Sequence, residues 1–327
     1  MGGKGTVSIF AAILGLGLAP ATFGQQLLSR DSLSNSTCLQ SINTSVPGQL
    51  GKGCDHQAVQ ELARSGQAFT ENQLGVESAL VLGPKRTIRD ARKWFEKAAR
   101  QGYAPAEVNL AVLYINGWGV ERNYGAAFYW LKTAADQGNA RAHTNLGILY
   151  MNGWGVRKDY EEALSHFRFA AERGETGAMV NLGFLSDAGF GLPQGKAAAV
   201  NWYRLAAEQG DALAQNNLAD MYLRGEGVAQ NDTLAREWFE KAAEQGNTGA
   251  QIKLGYMWAS GRAGNPDLET AYAWILAASL VGDARGDGYL PSLEKQLDAE
   301  QLTRAKEKAK TLRAKSQHAI PELAFLR

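Results

Sequence analysis

Glycine recurs in this chain at a fixed interval. Gly102, Gly138, Gly174, Gly210, Gly246 and Gly282 are each 36 residues apart. The middle four each follow an Ala-Ala pair, at 134–135, 170–171, 206–207 and 242–243. Trp94, Trp130, Trp202, Trp238 and Trp274 share a second register, with His166 in the missing slot, and Asn-Leu recurs from Asn109, Asn145, Asn181 and Asn217. A period of this length is the mark of a stacked repeat protein, because one such segment cannot bury its own apolar face. Six units follow, at 67–102, 103–138, 139–174, 175–210, 211–246 and 247–282.

The unit beginning at Asn139 predicts two helices. Asn139 caps the first, Ala140–Met151, and the run from Asn152 to Lys158 breaks it. Asp159 with Glu162 opens the second, Tyr160–Arg173, and Gly174 ends it in the left-handed conformation that glycine adopts at little cost. The second cap recurs as Asn123, Gly195, Asn231 and Asp267. Glycine is thereby assigned to turns, about three per unit. The fold class is all-α: an α/α superhelical solenoid of about six helix-loop-helix repeats. A single capping helix is expected over Ser292–Lys315, with Leu293, Leu297, Leu302, Ala305, Ala309 and Leu312 on its covering face.

The segments outside the repeats differ in kind. Residues 1–21 read as a secretory signal: Lys4, an apolar run over Val7–Leu18, and a small-x-small cleavage site ending at Ala21. Residues 22–57 form a polar leader, 58–282 the solenoid, and 283–327 the capping helix and tail. Cys38 and Cys54 lie in the leader, where an oxidising compartment favours a disulfide over two free thiols. No later stretch is long and apolar enough for a membrane span. The expected location is periplasmic or secreted, and the expected state monomeric. A net charge of +1 excludes a chain that is basic throughout, so no nucleic-acid partner is expected.

The pattern Ala-x-x-Asn-Leu-Gly-x-Leu-Tyr-x-x-Gly-x-Gly-Val, best kept at Ala142–Val156 and followed by Ala-Ala-x-x-Gly at Ala170–Gly174, resembles the Sel-one-like repeat family, relatives of tetratricopeptide repeats. The resemblance spans about 67–282. It implies a non-catalytic scaffold that binds a protein or peptide, and secreted bacterial members act as envelope regulators, adhesion or host-binding factors. Members with cysteine pairs in each repeat have been linked to β-lactam binding. This chain has no cysteine inside its repeats, so a β-lactam-binding or hydrolytic role is only the alternative.

The search for chemistry assigns no catalytic residue, no metal ligand and no cofactor. The four histidines have no metalloprotease spacing, and Ser292-Leu-Glu-Lys295 lacks the companion motifs of a serine nucleophile. Two candidate surfaces remain. By analogy with tetratricopeptide arrays, the second apolar stripe of each first helix lines a concave face that takes a partner segment. Its residues are Val108, Val112, Ile115, Thr144, Ile148, Met151, Val180, Phe184, Asn216, Asp220 and Tyr256. The competing expectation is that neighbouring helices bury this stripe. The other candidate is the loop edge. Trp118, Trp154 and Phe190 stand between paired glycines where Glu226 and Arg262 stand later. Exposed, they offer a platform for a protein or an envelope glycan; folded back, they are packing.

Overall fold

The computed structural model describes residues 68–80, 86–262 and 264–317; the signal, the leader with Cys38 and Cys54, and the residues after 317 lie outside them. Fourteen α-helices and no strand are found among the described residues. They pair as α1 (Ala68–Leu80) with α2 (Arg86–Ala99), α3 (Ala104–Asn116) with α4 (Tyr124–Asp136), and α5 (Ala140–Asn152) with α6 (Tyr160–Ala171). Then come α7 (Thr176–Ala188), α8 (Lys196–Glu208), α9 (Ala212–Arg224), α10 (Asp232–Glu244), α11 (Thr248–Ser260) and α12 (Leu268–Ser279). A 3-10 turn (Ala284–Tyr289), a short α13 (Leu290–Glu294) and α14 (Ala299–Gln317) follow. The chain divides into two compact units, one ending at Ala178 and one beginning at Met179.

The same local hydrogen bonds build each hairpin. Side chains of Asn123, Asn139, Asp159, Asp211, Asn231, Asn247 and Asp267 accept from backbone N–H groups that the first helical turn leaves unpaired. The backbone N–H of the second-helix cap closes each long loop by donating to the carbonyl nine residues back: Asn123 to Tyr114, Asp159 to Tyr150, Gly195 to Ser186, Asn231 to Tyr222 and Asp267 to Trp258, at 2.8–3.1 Å. Second helices end in a Schellman turn, in which Asn139 N–H donates to Ala134 O and Asn247 N–H to Ala242 O.

In the first unit, one core joins Val108, Ala111 and Ile115 of α3 to Ala127 and Leu131 of α4 and to Ala142, Leu146 and Leu149 of α5. Stacked hairpins therefore share one apolar interior, as the repeat argument requires. In the second unit, Ala219, Phe239, Ala250, Leu254, Met257 and Trp274 form the corresponding core.

The C-terminal end departs from expectation. One helix over Ser292–Lys315 was expected, but α13 stops at Glu294 and α14 starts at Ala299. The break is a reciprocal cap: Gln301 N–H donates to Asp298 Oδ1 (2.8 Å) while Asp298 N–H donates to Gln301 Oε1 (2.9 Å). The covering role stands. Leu293 and Ala305 are buried with Ala271, Tyr272 and Ile275, and Arg304 and Lys308 reach Glu269 and Thr270 of α12.

Candidate functional site

At the loop edge, Trp154 follows the folded-back alternative. Trp154 does not project as a platform; it stacks on Tyr124, the first residue of α4, with ring centroids 5.0 Å apart and planes 18° from parallel. Trp118 lines one cavity with Ile88, Arg89 and Arg92, and is half-buried. Phe190 is 40% exposed and meets Phe184 edge-on. In the next two loops the same position carries charge. Glu226 accepts from Lys196 at 2.8 Å, and Arg262 donates to Asp232 at 2.7 Å. Each interacting pair is separated by 30 residues, and Tyr124, Lys196 and Asp232 share one register at or beside the start of their helices. At Trp154, Glu226 and Arg262 the residue between the glycines is therefore a latch on the preceding hairpin. The physical reason is the second glycine, which lies so close to the helix start beneath it that its neighbour has a ready partner: a Cβ on Gly155 would lie 2.7 Å from the Tyr124 carbonyl carbon.

Most of the inner stripe is buried, as the second of the two expectations had it. Val108 and Ile115 belong to the core shared with α4 and α5, because the next hairpin stacks directly upon them. Val112, Thr144, Ile148, Met151, Val180 and Asn216 are buried too. Phe184, Asp220 and Tyr256 stay half-exposed, all three in the second unit. In the Asn-Leu register, Asn145 Nδ2 donates within its own helix to Arg141 O (2.9 Å), whereas Asn109 Nδ2 donates to Asn72 Oδ1 of the preceding hairpin (3.0 Å).

Two of the half-exposed positions lead to a cavity. Asp220 is ion-paired with Lys253, which also donates to Asn216. Lys253 and Tyr256 line an open cavity of about 460 Å³ with Leu223, Met257, Arg262 and Tyr289. The Tyr256 and Tyr289 rings are 4.4 Å apart, and Tyr289 is 53% exposed. Burial, followed by the neighbouring Tyr289, raises the Tyr256 pKa, so its phenol remains a neutral donor. Sequence reasoning missed Tyr289. It lies in the 3-10 turn outside the repeat period, and only the chain's return over α11 brings it to Tyr256.

A polar cluster was also missed. His143 Nδ1 lies 2.9 Å from His166 Nδ1, and His143 Nε2 lies 3.3 Å from Ala135 O. His143 stacks on Phe169 (3.8 Å between centroids), which carries the Arg173 guanidinium on its other face, and His166 stacks on Tyr150. Desolvation lowers both histidine pKa values, that of His166 to about 4.

No group of three or more His, Cys, Asp or Glu residues suited to a metal occurs among the described residues, and none of their helices is long and apolar enough to cross a membrane. Ser292 of the Ser-x-x-Lys match spends its hydroxyl on the Tyr289 carbonyl.

The family model described as "Sel1 repeat" matches residues 81–103, 104–139, 140–175, 176–211, 212–247 and 248–283. Among solved structures, a Sel1 repeat protein from Oxalobacter formigenes is 33% identical, with a TM-score of 0.61, covering 68% of this chain and 90% of that one. The protein c5321, a protective antigen present in uropathogenic Escherichia coli and displaying an SLR fold, is 26% identical, with a TM-score of 0.47, covering 90% of this chain and 72% of that one. Pseudomonas aeruginosa PA5086 is 22% identical, with a TM-score of 0.50 and coverage of 69% and 87%. No curated protein sequence matches the chain.

Proposed function

The chain belongs to the Sel1 repeat family, an all-α superhelical repeat fold whose members generally scaffold protein interactions, and from that premise we propose that it is a non-catalytic adaptor of the cell envelope or extracellular space that captures a partner's peptide segment in the Tyr256–Tyr289 cavity. The observation that carries this reading is the cavity itself. Two adjoining tyrosines, one of them 53% exposed, line it together with Leu223, Met257, Lys253 and Arg262. Rigid aromatics beside an apolar floor are the composition of a binding hot spot, and polar groups around them orient the guest. A preformed pocket also spares the scaffold the entropy of ordering a loop on binding.

The envelope location is supported by the charged start, apolar run and small-residue cleavage site of Met1–Ala21. N-terminal sequencing of the protein from its host tests that part, and an intact Met1 would refute it.

Selection of a random peptide display library on the purified chain tests the cavity. The expected result is enrichment of peptides with a large apolar anchor whose binding is lost in the Tyr256→Ala/Tyr289→Ala double variant. Selected peptides that bind the double variant equally well, or no enrichment at all, would remove the cavity from the proposal. The glycan alternative has lost Trp154, whose ring is engaged with Tyr124.

A further inference from the structure

The second helix of the first hairpin, α2, differs from its counterparts in charge. It carries five cations, Arg86, Arg89, Arg92, Lys93 and Lys97, against Asp90 and Glu96. The corresponding helices α4, α6, α8, α10 and α12 each carry one excess cation at most. Arg89, Lys93, Lys97 and, just past the helix end, Arg100 are spaced by four, four and three residues, which places them in a row on one face. All four are exposed. Lys93 pairs with Asp90 at 3.2 Å and Lys97 with Glu71 at 3.0 Å, while Arg89 and Arg100 meet no carboxylate among the described residues. The carboxylates lie lower than the cations: Glu71 is fully buried, and Asp90 and Glu96 are half-buried. The row begins at a cavity of about 630 Å³, which Arg89 and Arg92 line together with Ile88, Trp118 and Val120. Glu121 is the one carboxylate of that lining, and Arg92 gives its Nε–H to Glu96 at 2.8 Å.

We propose that this face docks an acidic segment of a partner protein, with carboxylates along Arg89, Lys93, Lys97 and Arg100 and an apolar side chain seated in the Ile88–Trp118 cavity. From Arg89 to Arg100 the row runs roughly 16 Å along the helix. A partner helix with carboxylates four residues apart presents them about every 6 Å, the same step as the row. Exposed pairs of this kind add little affinity each, but they steer the encounter and fix its direction, while an anchor in a cavity lengthens the stay. The row is one helix wide. In the next hairpin its registers hold Gly125, Tyr129, Thr133 and Asp136, with no cation among them. That width suits a single chain; a flat anionic bilayer would engage a broader basic surface. Tyr129 is 62% exposed, an aromatic side chain in the outward register that a purely solvated face does not require.

The test is titration of a labelled peptide, tryptophan followed by three Glu-Ala-Ala-Ala repeats, with the full chain, read by fluorescence anisotropy. The glutamine counterpart of the peptide, the peptide without its tryptophan, and phosphatidylglycerol vesicles are the comparison probes. Arg89→Glu/Arg100→Glu reverses the two cations that meet no carboxylate, and Arg157→Glu/Lys306→Glu makes the same change in net charge elsewhere. Circular dichroism checks that both variants remain folded. The expected result is binding that weakens with added salt and falls about tenfold or more in Arg89→Glu/Arg100→Glu. It should stay within about twofold of the parent in Arg157→Glu/Lys306→Glu and in Tyr256→Ala/Tyr289→Ala, which separates this face from the tyrosine cavity. The peptide without tryptophan should bind more weakly, and the glutamine peptide should not bind. No binding by the parent chain, equal loss in the two charge variants, or undiminished binding of either altered peptide would overturn the proposal. Vesicle binding that depends on Arg89 and Arg100 more strongly than peptide binding does would also overturn it, by giving the face to a membrane.

Discussion

A Cβ atom added to Gly147 would lie 2.6 Å from Cε1 of Phe167, a fully buried ring in the same hairpin. The relationship recurs 20 residues apart. Gly183 faces Tyr203 (2.6 Å to Cε1) and Gly255 faces Ile275 (2.5 Å to Cγ1). At the corresponding positions of α3 and α4, Ala111 is buried with Leu131, a larger residue on the first helix and a smaller one on the second. Gly147→Ala should therefore destabilise by about 1–3 kcal/mol through overpacking, despite the gain of roughly 1 kcal/mol in helix propensity. Adding Phe167→Leu should recover part of that loss by recreating the Ala111–Leu131 combination. Chemical denaturation of the three variants checks this, and a stabilised Gly147→Ala would contradict it. The buried Ala219–Phe239 pair indicates that a hairpin can accommodate both groups, so the cost at 147 belongs to the local helix spacing.

The left-handed glycines should divide into two groups. Gly138 (φ +81°) has open space around its missing Cβ, whereas that of Gly155 (φ +70°) would strike the Tyr124 backbone. Gly138→Ala should cost about 1–2 kcal/mol, the conformational penalty alone. Gly155→Ala should cost at least about 3 kcal/mol, since the added contact is with a helix backbone that cannot turn aside. Thermal unfolding of the two variants side by side measures the difference, and equal losses would show that the loop is not pressed on α4.

The charged latches give the second unit a pH dependence. A hydrogen bond from Lys196 holds the Glu226 carboxyl below its usual range, and one from Arg262 does the same for Asp232. Carboxylates lowered in the folded state stabilise it above their unfolded values of about 4.3 and 3.9, and that contribution is lost as pH falls through the lowered values. Stability should thus decline below about pH 4 by up to about 1 kcal/mol per surface pair. Glu226→Gln should flatten its share. Swapping the charges, with Lys196→Glu and Glu226→Lys together, should restore the pair between positions 196 and 226 but not the ion pair that Lys196 also makes with Asp187.

Glu107 is 1% exposed, with burial raising its pKa, and it accepts from Gln137 Nε2 at 3.0 Å. Gln215 takes the same position in its own repeat and accepts from Gln245 at 2.8 Å. Glu107→Gln should keep the hydrogen bond while removing a buried charge. It should be neutral or stabilising by about 1 kcal/mol at pH 7. A loss above that in equilibrium unfolding would show that the charge itself is needed.

Much of the fold is legible in the chain because its signals are local. Asn139, Asp159 and Gly174 can be read as cap, cap and stop without knowledge of any distant residue, since the groups they satisfy lie within one helical turn. The same locality explains the error at the C-terminus: apolar spacing continues through Leu297, and the Asp298–Gln301 cap that interrupts it went unnoticed. The candidate surfaces were less legible. Trp154 looks like an exposed anchor until Tyr124 is placed beneath it, and Val108 looks like a groove residue until α5 stacks upon it.

The sequence by itself determined the 36-residue period, the caps that open the repeat helices and the all-α class, because caps, turns and apolar spacing act over a few residues. Only the tertiary structure decided which side chains remain available. It closed Trp154 into a latch, left Tyr256 open beside Tyr289, brought His143 to His166, and gave Gly147, Gly183 and Gly255 a packing role where the sequence reads glycine as turn punctuation. Those outcomes depend on how closely one hairpin approaches the next. That distance is set by pairs of residues some 20 to 30 positions apart, whose contact no local pattern encodes.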